Sequence, residues 1–313
     1  MKNLARLTLL LALALGACAP AAPQTTTLRI GVLPILEALP MYVAQDQGYF
    51  AQEGLQVEFV PAASAAERDQ LMQAGQIDGM INDLVSVLLY NKGEVQIVVV
   101  RFARVASAQD PAYRILAAAG SGITTVDGLR GVPIGVSEGT VIEYVTDRLL
   151  QAEGLAADEI EIVAVPKIPD RMALLESGEL QAATLPDPLS SLALQAGATL
   201  ILDDTAHPEF GTSVLSFRKP IVEQSPEAVR AFLRALEKAT AEVNANPGRW
   251  GTLLTENKLV PAPLIGSYRL PTFPSASVPS EAQYADALDW AVAGGLLVGS
   301  AAYDDSVNDA FLP

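Results

Sequence analysis

The stretch LRIGVLPILEALPMYVAQDQGYFAQEGLQVEFV, residues 28–60, joins a short apolar run, a segment with apolar residues at helical spacing, and a run that alternates apolar and polar side chains. Residues 28–33 read as a buried strand, 40–50 as a helix and 55–60 as a second strand, because the apolar period passes from continuous to about 3.6 and then to about 2. Such a unit belongs to a covered, mostly parallel sheet.

The same succession extends outward. Residues 65–74 read as a helix, 77–81, 84–90 and 95–100 as strand, helix and strand. After 101–122 it restarts: 132–136 strand, 141–152 helix, 160–165 strand, 171–177 helix, then 181–185, 189–195 and 199–202 as strand, helix and strand. The halves echo one another. Glu53-Gly54-Leu55 is matched by Glu153-Gly154-Leu155, and Gly75-Gln76-Ile77-Asp78 by Gly178-Glu179-Leu180-Gln181. Gly75 and Gly178 are each placed to end a helix in the left-handed conformation. A strand at 212–217 returns to the first half. Helices follow at 226–244, with Ser225 as cap and Pro226 at the first position, at 248–256 and at 280–293; these are expected to pack outside the first half. Residues 261–279 read as a long proline-rich loop.

The first residues give an address. Lys2 and Arg6 precede an apolar stretch at 7–15, the pattern of a secretory signal and about half the length of a membrane span. Leu15-Gly16-Ala17-Cys18 resembles the lipobox of bacterial lipoproteins, which implies cleavage before Cys18 and lipid attachment to it. Residues 1–17 are thus expected to be a leader and 18–27 a tether, with the lipid holding the protein at the cell membrane on its extracytoplasmic side, periplasmic or outer; ordinary secretion with an incidental cysteine is the plainer alternative. Cys18 is the only cysteine, so stability has to come from the core rather than from disulfides.

The 313 residues, half of them hydrophobic, suffice for one big or two modest domains. The formal charge is −16, and loss of Lys2 and Arg6 with the leader leaves 18 basic against 36 acidic residues. Such an excess of carboxylates argues against nucleic acid and anionic lipid as partners.

Ile30-Gly31-Val32, Pro40-Met41-Tyr42-Val43-Ala44, Gly48-Tyr49-Phe50 and Glu53-Gly54-Leu55-Gln56-Val57 resemble the opening of NMT1/THI5-like and aliphatic-sulfonate or nitrate-binding proteins. Gly75-Gln76-Ile77-Asp78-Gly79, Asp127-Gly128-Leu129-Arg130-Gly131 and Gly178-Glu179-Leu180-Gln181-Ala182 are similar to further elements of that group, with Gln181 where aspartate is usual. The resemblance covers 28–202 well and the C-terminal helices loosely. It implies an α/β, type II periplasmic-binding-protein fold: two doubly wound lobes, 28–101 plus 213–313 and 102–212, joined by two crossover strands and closing on a ligand. It also implies a monomeric solute-binding lipoprotein that needs no cofactor and serves an ABC permease and its ATPase. A sensor docking to a receptor would share all these features.

In open α/β sheets ligands sit beyond the carboxyl ends of the strands, often at helix starts. That rule selects Pro34 and Glu37 after the first strand, Asn82, Asp83 and Ser86 after the third, and Arg101 at the first crossover. In the second half it selects Ser137, Glu138, Gly139 and Thr140, whose backbone N–H groups can face a ligand, and Asp187. Asn82, Asp83 and Asp187 have a plainer role open to them as helix caps, and Arg101 one as a salt bridge across the hinge. Tyr42, Tyr113 and Tyr144 are candidates for stacking on a ring or for the core.

Glu37, Asp83, Glu138 and Asp187 outnumber Arg101, which predicts a neutral, cationic or heterocyclic ligand, such as a vitamin or its pyrimidine precursor, over a sulfonate or nitrate. An enzyme is the rival class, because THI5-like proteins of this fold build the thiamine pyrimidine with their own histidine and a cysteine-rich iron site. This sequence offers His207 alone, and neither a metal cluster nor a nucleophile elbow. The pairs Asp203-Asp204 and Asp304-Asp305 read as solvated loop charges.

Overall fold

The computed structural model describes residues 26–313. The leader, Cys18 and most of the tether lie outside the described residues, whereas Thr26 and Thr27, assigned to the tether from sequence, already pair as strand with Leu55 and Gln56.

Strands are numbered along the chain. β1 (Thr26–Val32), β2 (Leu55–Pro61), β3 (Gly79–Asn82), β4 (Ile97–Val105) and β10 (Thr212–Arg218) form a sheet in the order β2-β1-β3-β10-β4. β5 (Tyr113–Ala117), β6 (Ile134–Val136), β7 (Ile162–Ala164), β8 (Ala182–Pro186) and β9 (Thr199–Asp203) form another in the order β7-β6-β8-β5-β9. The two sheets share one plan: three parallel strands, with a fourth inserted antiparallel beside the third. In the first sheet the inserted strand is β10, which arrives from the second. In the second sheet it is β5, which arrives from the first. The chain therefore crosses twice, from β4 to β5 and from β9 to β10.

The helices are α1 (Leu39–Asp46), α2 (Tyr49–Gln52), α3 (Ala65–Gln73), α4 (Leu84–Tyr90), α5 (Val141–Ala152), α6 (Ile168–Ser177), α7 (Leu189–Gln195), α8 (Lys219–Gln224), α9 (Pro226–Ala245), α10 (Gly251–Glu256), α11 (Glu281–Ala293) and α12 (Tyr303–Ser306). No helix among the described residues is long and apolar enough to cross a membrane. Local chemistry sets several starts. Ser64 caps α3, Asp83 caps α4, Thr140 caps α5, and Ser280 with Gln283 closes a capping box on α11. Gly75 and Gly178 sit at φ 66° and 77°, the left-handed geometry their places in the sequence require.

Two expectations for the C-terminal part need correction. Ser225 makes no side-chain cap on α9; the proline at the first helical position sets the start without one. Of the last helices, α9 lies on α1 and α2, but α11 packs on α4 of the first half and reaches α5 of the second. Trp290 Nε1 donates to Asp147 Oδ2 at 2.7 Å, and Asp286 Oδ2 accepts from Tyr144 Oη at 2.7 Å and Arg148 Nε at 2.9 Å. The apolar core follows suit: one cluster joins α2, β10 and α9 through Phe50, Phe217 and Phe232, and another runs across both halves through Met80, Val85, Ile115, Val145 and Trp290.

Candidate ligand cleft

A cavity of about 460 Å³ opens between the sheets, at the carboxyl ends of β1, β3, β6, β7 and β8. This lies within the usual range of small-molecule sites. Its walls are mostly apolar, among them Leu33, Ile35, Ile81, Val141, Ile168 and Leu189, and they include six prolines.

Seven of the residues selected from sequence line it: Pro34, Glu37, Asn82, Asp83, Ser137, Thr140 and Asp187. Asn82 Oδ1 accepts from Ser216 Oγ at 2.8 Å, which fixes the amide. Asp83 Oδ1 accepts from the Ser86 backbone N–H at 2.9 Å, so the capping role is real and coexists with a place on the wall. Ser137 Oγ donates to the Pro166 carbonyl at 2.9 Å and accepts from Arg171 Nη1 at 3.0 Å. Thr140 Oγ1 donates to the Ser137 carbonyl at 2.7 Å and accepts from the Ile142 N–H at 3.2 Å.

The other selected residues lie elsewhere. Ser86 is buried behind the wall, within 3.4 Å of Arg68 Nη2 and of Asn82 Nδ2. The Tyr42 ring is set edge-on to Phe59 at 4.9 Å. Glu138 is exposed. The Gly139 N–H, expected to be free, donates to Glu143 Oε2 at 2.6 Å. Arg101 departs furthest: its Nη2 donates to Glu237 Oε2 at 2.6 Å and to the Pro274 carbonyl at 2.8 Å, under α9. The cause is a bulge in β4. Leu215 pairs with Arg101 and Ser216 with Val99, so the alternation slips by one residue at Val100. β4 also continues to Val105, which moves the crossover past Arg101.

Asp187 does not cap α7; it is the centre of an ion-pair cluster instead. Oδ1 accepts from Arg114 Nη1 at 2.6 Å, Ser190 Oγ at 3.2 Å and Ser191 Oγ at 2.5 Å. Arg104 Nη2 stands 3.8 Å from Oδ2, to which the Tyr268 hydroxyl also donates. Burial by itself would raise the pKa of Asp187, but Arg104 and Arg114 prevail and hold it below the usual carboxylate value. The opposite holds for Glu37 and Asp83. Burial dominates there and raises both, against Arg104 at Glu37 and Arg68 at Asp83.

Sequence reasoning missed Arg68, Arg104, Arg114, Tyr268 and the segment at 255–262, which closes one side of the cavity. Arg104 and Arg114 fall in the stretch 101–122 that the sequence reading left unassigned, although each stands among apolar residues that the structure shows as strand. Arg68, in the polar run Glu67-Arg68-Asp69-Gln70, offered no signal. It is nevertheless buried, and its Nη1 donates to the Ile81 carbonyl at 3.0 Å. Of the three tyrosines considered, Tyr113 alone lines the cavity, and Tyr144 is tied to Asp286. Asp204 overturns the reading of a solvated loop pair: it is fully buried and accepts from the N–H groups of Ala112 and Tyr113 at 2.9 and 3.1 Å. His207 is outside the lining and stacks on Phe210 at 5.7 Å. Among the described residues no group of three His, Cys, Asp or Glu side chains gathers as a metal site.

A family model described as "NMT1/THI5 like" matches residues 36–249. Over 210 residues the chain is 26% identical to a putative thiamine biosynthesis protein of Haemophilus influenzae, covering 66% of this chain and 64% of that protein. Over 155 residues it is 28% identical to a putative aliphatic sulfonates-binding protein of Escherichia coli, covering 49% of this chain and 48% of that protein. The chain thus spans less than two thirds of the length of either relative. Among solved structures, the alkanesulfonate-binding protein SsuA from Xanthomonas axonopodis pv. citri bound to MOPS superposes with a TM-score of 0.76 at 18% identity, over 92% of this chain and 99% of that one. Together with the shared plan of the two sheets, this likeness gives the fold, a type II periplasmic-binding-protein fold with two doubly wound halves and two crossovers.

Proposed function

The chain belongs to the NMT1/THI5-like family, and from that premise we propose that it is the extracytoplasmic solute-binding component of an ABC importer. Its lobes are built on the two sheets, 28–101 plus 213–313 and 102–212, with the first crossover displaced to just after Val105. Its ligand is a neutral or cationic heterocycle of vitamin or thiamine-pyrimidine type, delivered to a permease and its ATPase. A lipid on Cys18 holds the protein at the membrane.

The observation that carries the choice of ligand is a mostly apolar wall on which the carboxyls Glu37, Asp83 and Asp187 outnumber the cations Arg68 and Lys258. Five helices begin on its wall: α3, α4 and α5 are already capped, by Ser64, Asp83 and Thr140, whereas α6 and α7 start without a side-chain cap, the latter just past Asp187. A free oxyanion at α3, α4 or α5 would have to displace a cap, one of them a carboxyl, and at the open start of α7 it would meet the charged Asp187. Arg68, the buried cation on the wall, is spent on Ile81, Asp69 and Ser86. A flat, weakly polar molecule meets apolar walls, the Tyr113 ring and carboxyls that burial inclines toward their neutral, donating form.

A sulfonate or nitrate is the second reading. It is favoured by Lys258, a cation on the rim, and by the relative in Escherichia coli named for aliphatic sulfonates. An enzyme is disfavoured because His207 is not among the lining residues.

Native mass spectrometry of the protein purified without refolding, followed by calorimetry with the copurified molecule, tests the assignment. A heterocycle without a strong acid group is expected; tight binding of taurine or nitrate overturns it in favour of the second reading.

A further inference from the structure

A second cavity, of about 250 Å³, is also lined by Asp187 and lies between the first crossover, the start of α7 and the C-terminal segment. Three guanidinium groups reach it from three parts of the chain: Arg104 from β4, Arg114 from β5 and Arg269 from the loop before α11. Two carboxylates, Asp110 and Asp187, face them. In a chain of net charge −16 this is a local excess of cations.

The donors are only partly used. Arg114 spends Nη1 alone, on Asp187 Oδ1, Ser190 Oγ and Ser191 Oγ, and its Nε and Nη2 edge has no acceptor among the described residues. Arg269 spends Nη2 alone, on Asp110 Oδ1 and the Gln109 carbonyl, and its side chain is 72% exposed. Arg104 places Nη1 on the Asp187 carbonyl at 3.2 Å and Nη2 on the Pro111 carbonyl at 2.8 Å; its Nε is buried with no partner. Open guanidinium edges grip oxygens in pairs, which suits carboxylates and tetrahedral oxyanions.

We infer that this cavity is a second binding site, for a small oxyanion held chiefly by Arg114 and Arg269 and backed by Arg104. The volume admits a ligand of a few heavy atoms, smaller than the occupant of the main cavity. An anion there bridges an arginine of the first sheet, one of the second and one of the C-terminal segment, so it binds across the hinge. It also shares Arg114 with Asp187, which holds Nη1 while the anion takes the Nε and Nη2 edge. Because Asp187 lines both cavities, occupancy of one site alters affinity at the other, by the same factor in each direction.

The test uses the mature protein without any cargo, so its outcome is independent of what the main cavity binds. Sulfate is titrated by calorimetry at low ionic strength, with acetate as a parallel arm that separates a tetrahedral dianion from a planar carboxylate. One saturable site is expected for at least one of them. Affinity should fall at least tenfold in Arg269→Gln, which lies outside both cores, and also in Arg114→Lys, which keeps the charge beside Asp187 but loses the planar edge. Thermal unfolding without anion verifies that Arg269→Gln is folded. Absence of saturable binding by either anion overturns the proposal, and so does equal affinity in the wild type and both variants, which would put the anion elsewhere.

Discussion

Asp204 and Asp78 are both buried carboxyls, and their surroundings push them in opposite directions. At Asp78 burial is outweighed by the side chain and backbone N–H of Arg29 and by Arg218, so its pKa lies below the ordinary value. At Asp204 burial outweighs the N–H groups of Tyr113 and Ala112 and the more distant Arg104, with Asp203 adding to the rise; the pKa is pushed up to about 7 from 3.8. The unfolded chain therefore ionises Asp204 at lower pH than the folded one does. Stability from this group is complete below the unfolded value and declines as pH rises toward about 7. Asp204→Asn, which keeps an acceptor for one N–H and cannot ionise, should flatten the decline. Urea midpoints at acidic, intermediate and neutral pH measure it, and a wild-type slope in the variant would show that the carboxyl is ionised throughout.

The internal echo extends, at the level of elements, beyond the glycines that first reveal it. A Cβ on Gly31 in β1 would lie 2.5 Å from Ile77 Cδ1, and one on Gly135 in β6 would lie 2.7 Å from Leu180 Cδ1. In each half a buried arginine from the helix after the second strand donates to a carbonyl of the third: Arg68 Nη1 to Ile81 at 3.0 Å, Arg171 Nε to Thr184 at 2.9 Å. The glycine lets this layer lie close on the first strand. Gly31→Ala should cost about 1–3 kcal/mol by overpacking. Ile77→Val removes the atom in the way, so the double variant should recover part of that loss despite its own small cavity. Urea unfolding of the single and double variants decides it: a double variant no more stable than Gly31→Ala would mean that another contact sets the approach. The echo breaks at the next residue, where Asp78 pairs with Arg29 and Arg218 while Gln181 is exposed.

For the whole molecule, Asp187 is the point where the halves are held together beside the cavity. It directly follows β8 of the second sheet, and its partners Arg104 and Tyr268 belong to the first sheet and to a segment packed on the first core. Asp187→Asn leaves Arg104 and Arg114 without their shared counter-charge. It should destabilise the protein by about 3 kcal/mol and enlarge its radius of gyration in small-angle scattering. Cargo binding should act in the reverse sense. Moving a two-lobed protein from mostly open to mostly closed takes on the order of 5 kcal/mol of differential affinity, and the expected result is compaction of the wild type with ligand. Scattering curves that overlay with and without the true cargo would exclude closure as its mechanism.

The order of most strands and helices, the division into two similar halves and the left-handed glycines were legible in the sequence, because apolar periodicity, caps and turn residues act over a few positions; β5, inside the unassigned stretch 101–122, was not. The strand ends that line the cavity followed from that order alone, which is why Pro34, Asn82, Asp83, Ser137, Thr140 and Asp187 were found. Tertiary structure alone decided which charges meet. The bulge at Val100 turns Arg101 toward Glu237, 136 residues away, Asp187 collects Arg104, Arg114 and Tyr268, and residues 255–262 close a cavity formed by segments far earlier in the chain. Pairings at such separations leave no local pattern; they arise from how the two sheets and the C-terminal segment pack, and from the need to match each charge withdrawn from water with a partner.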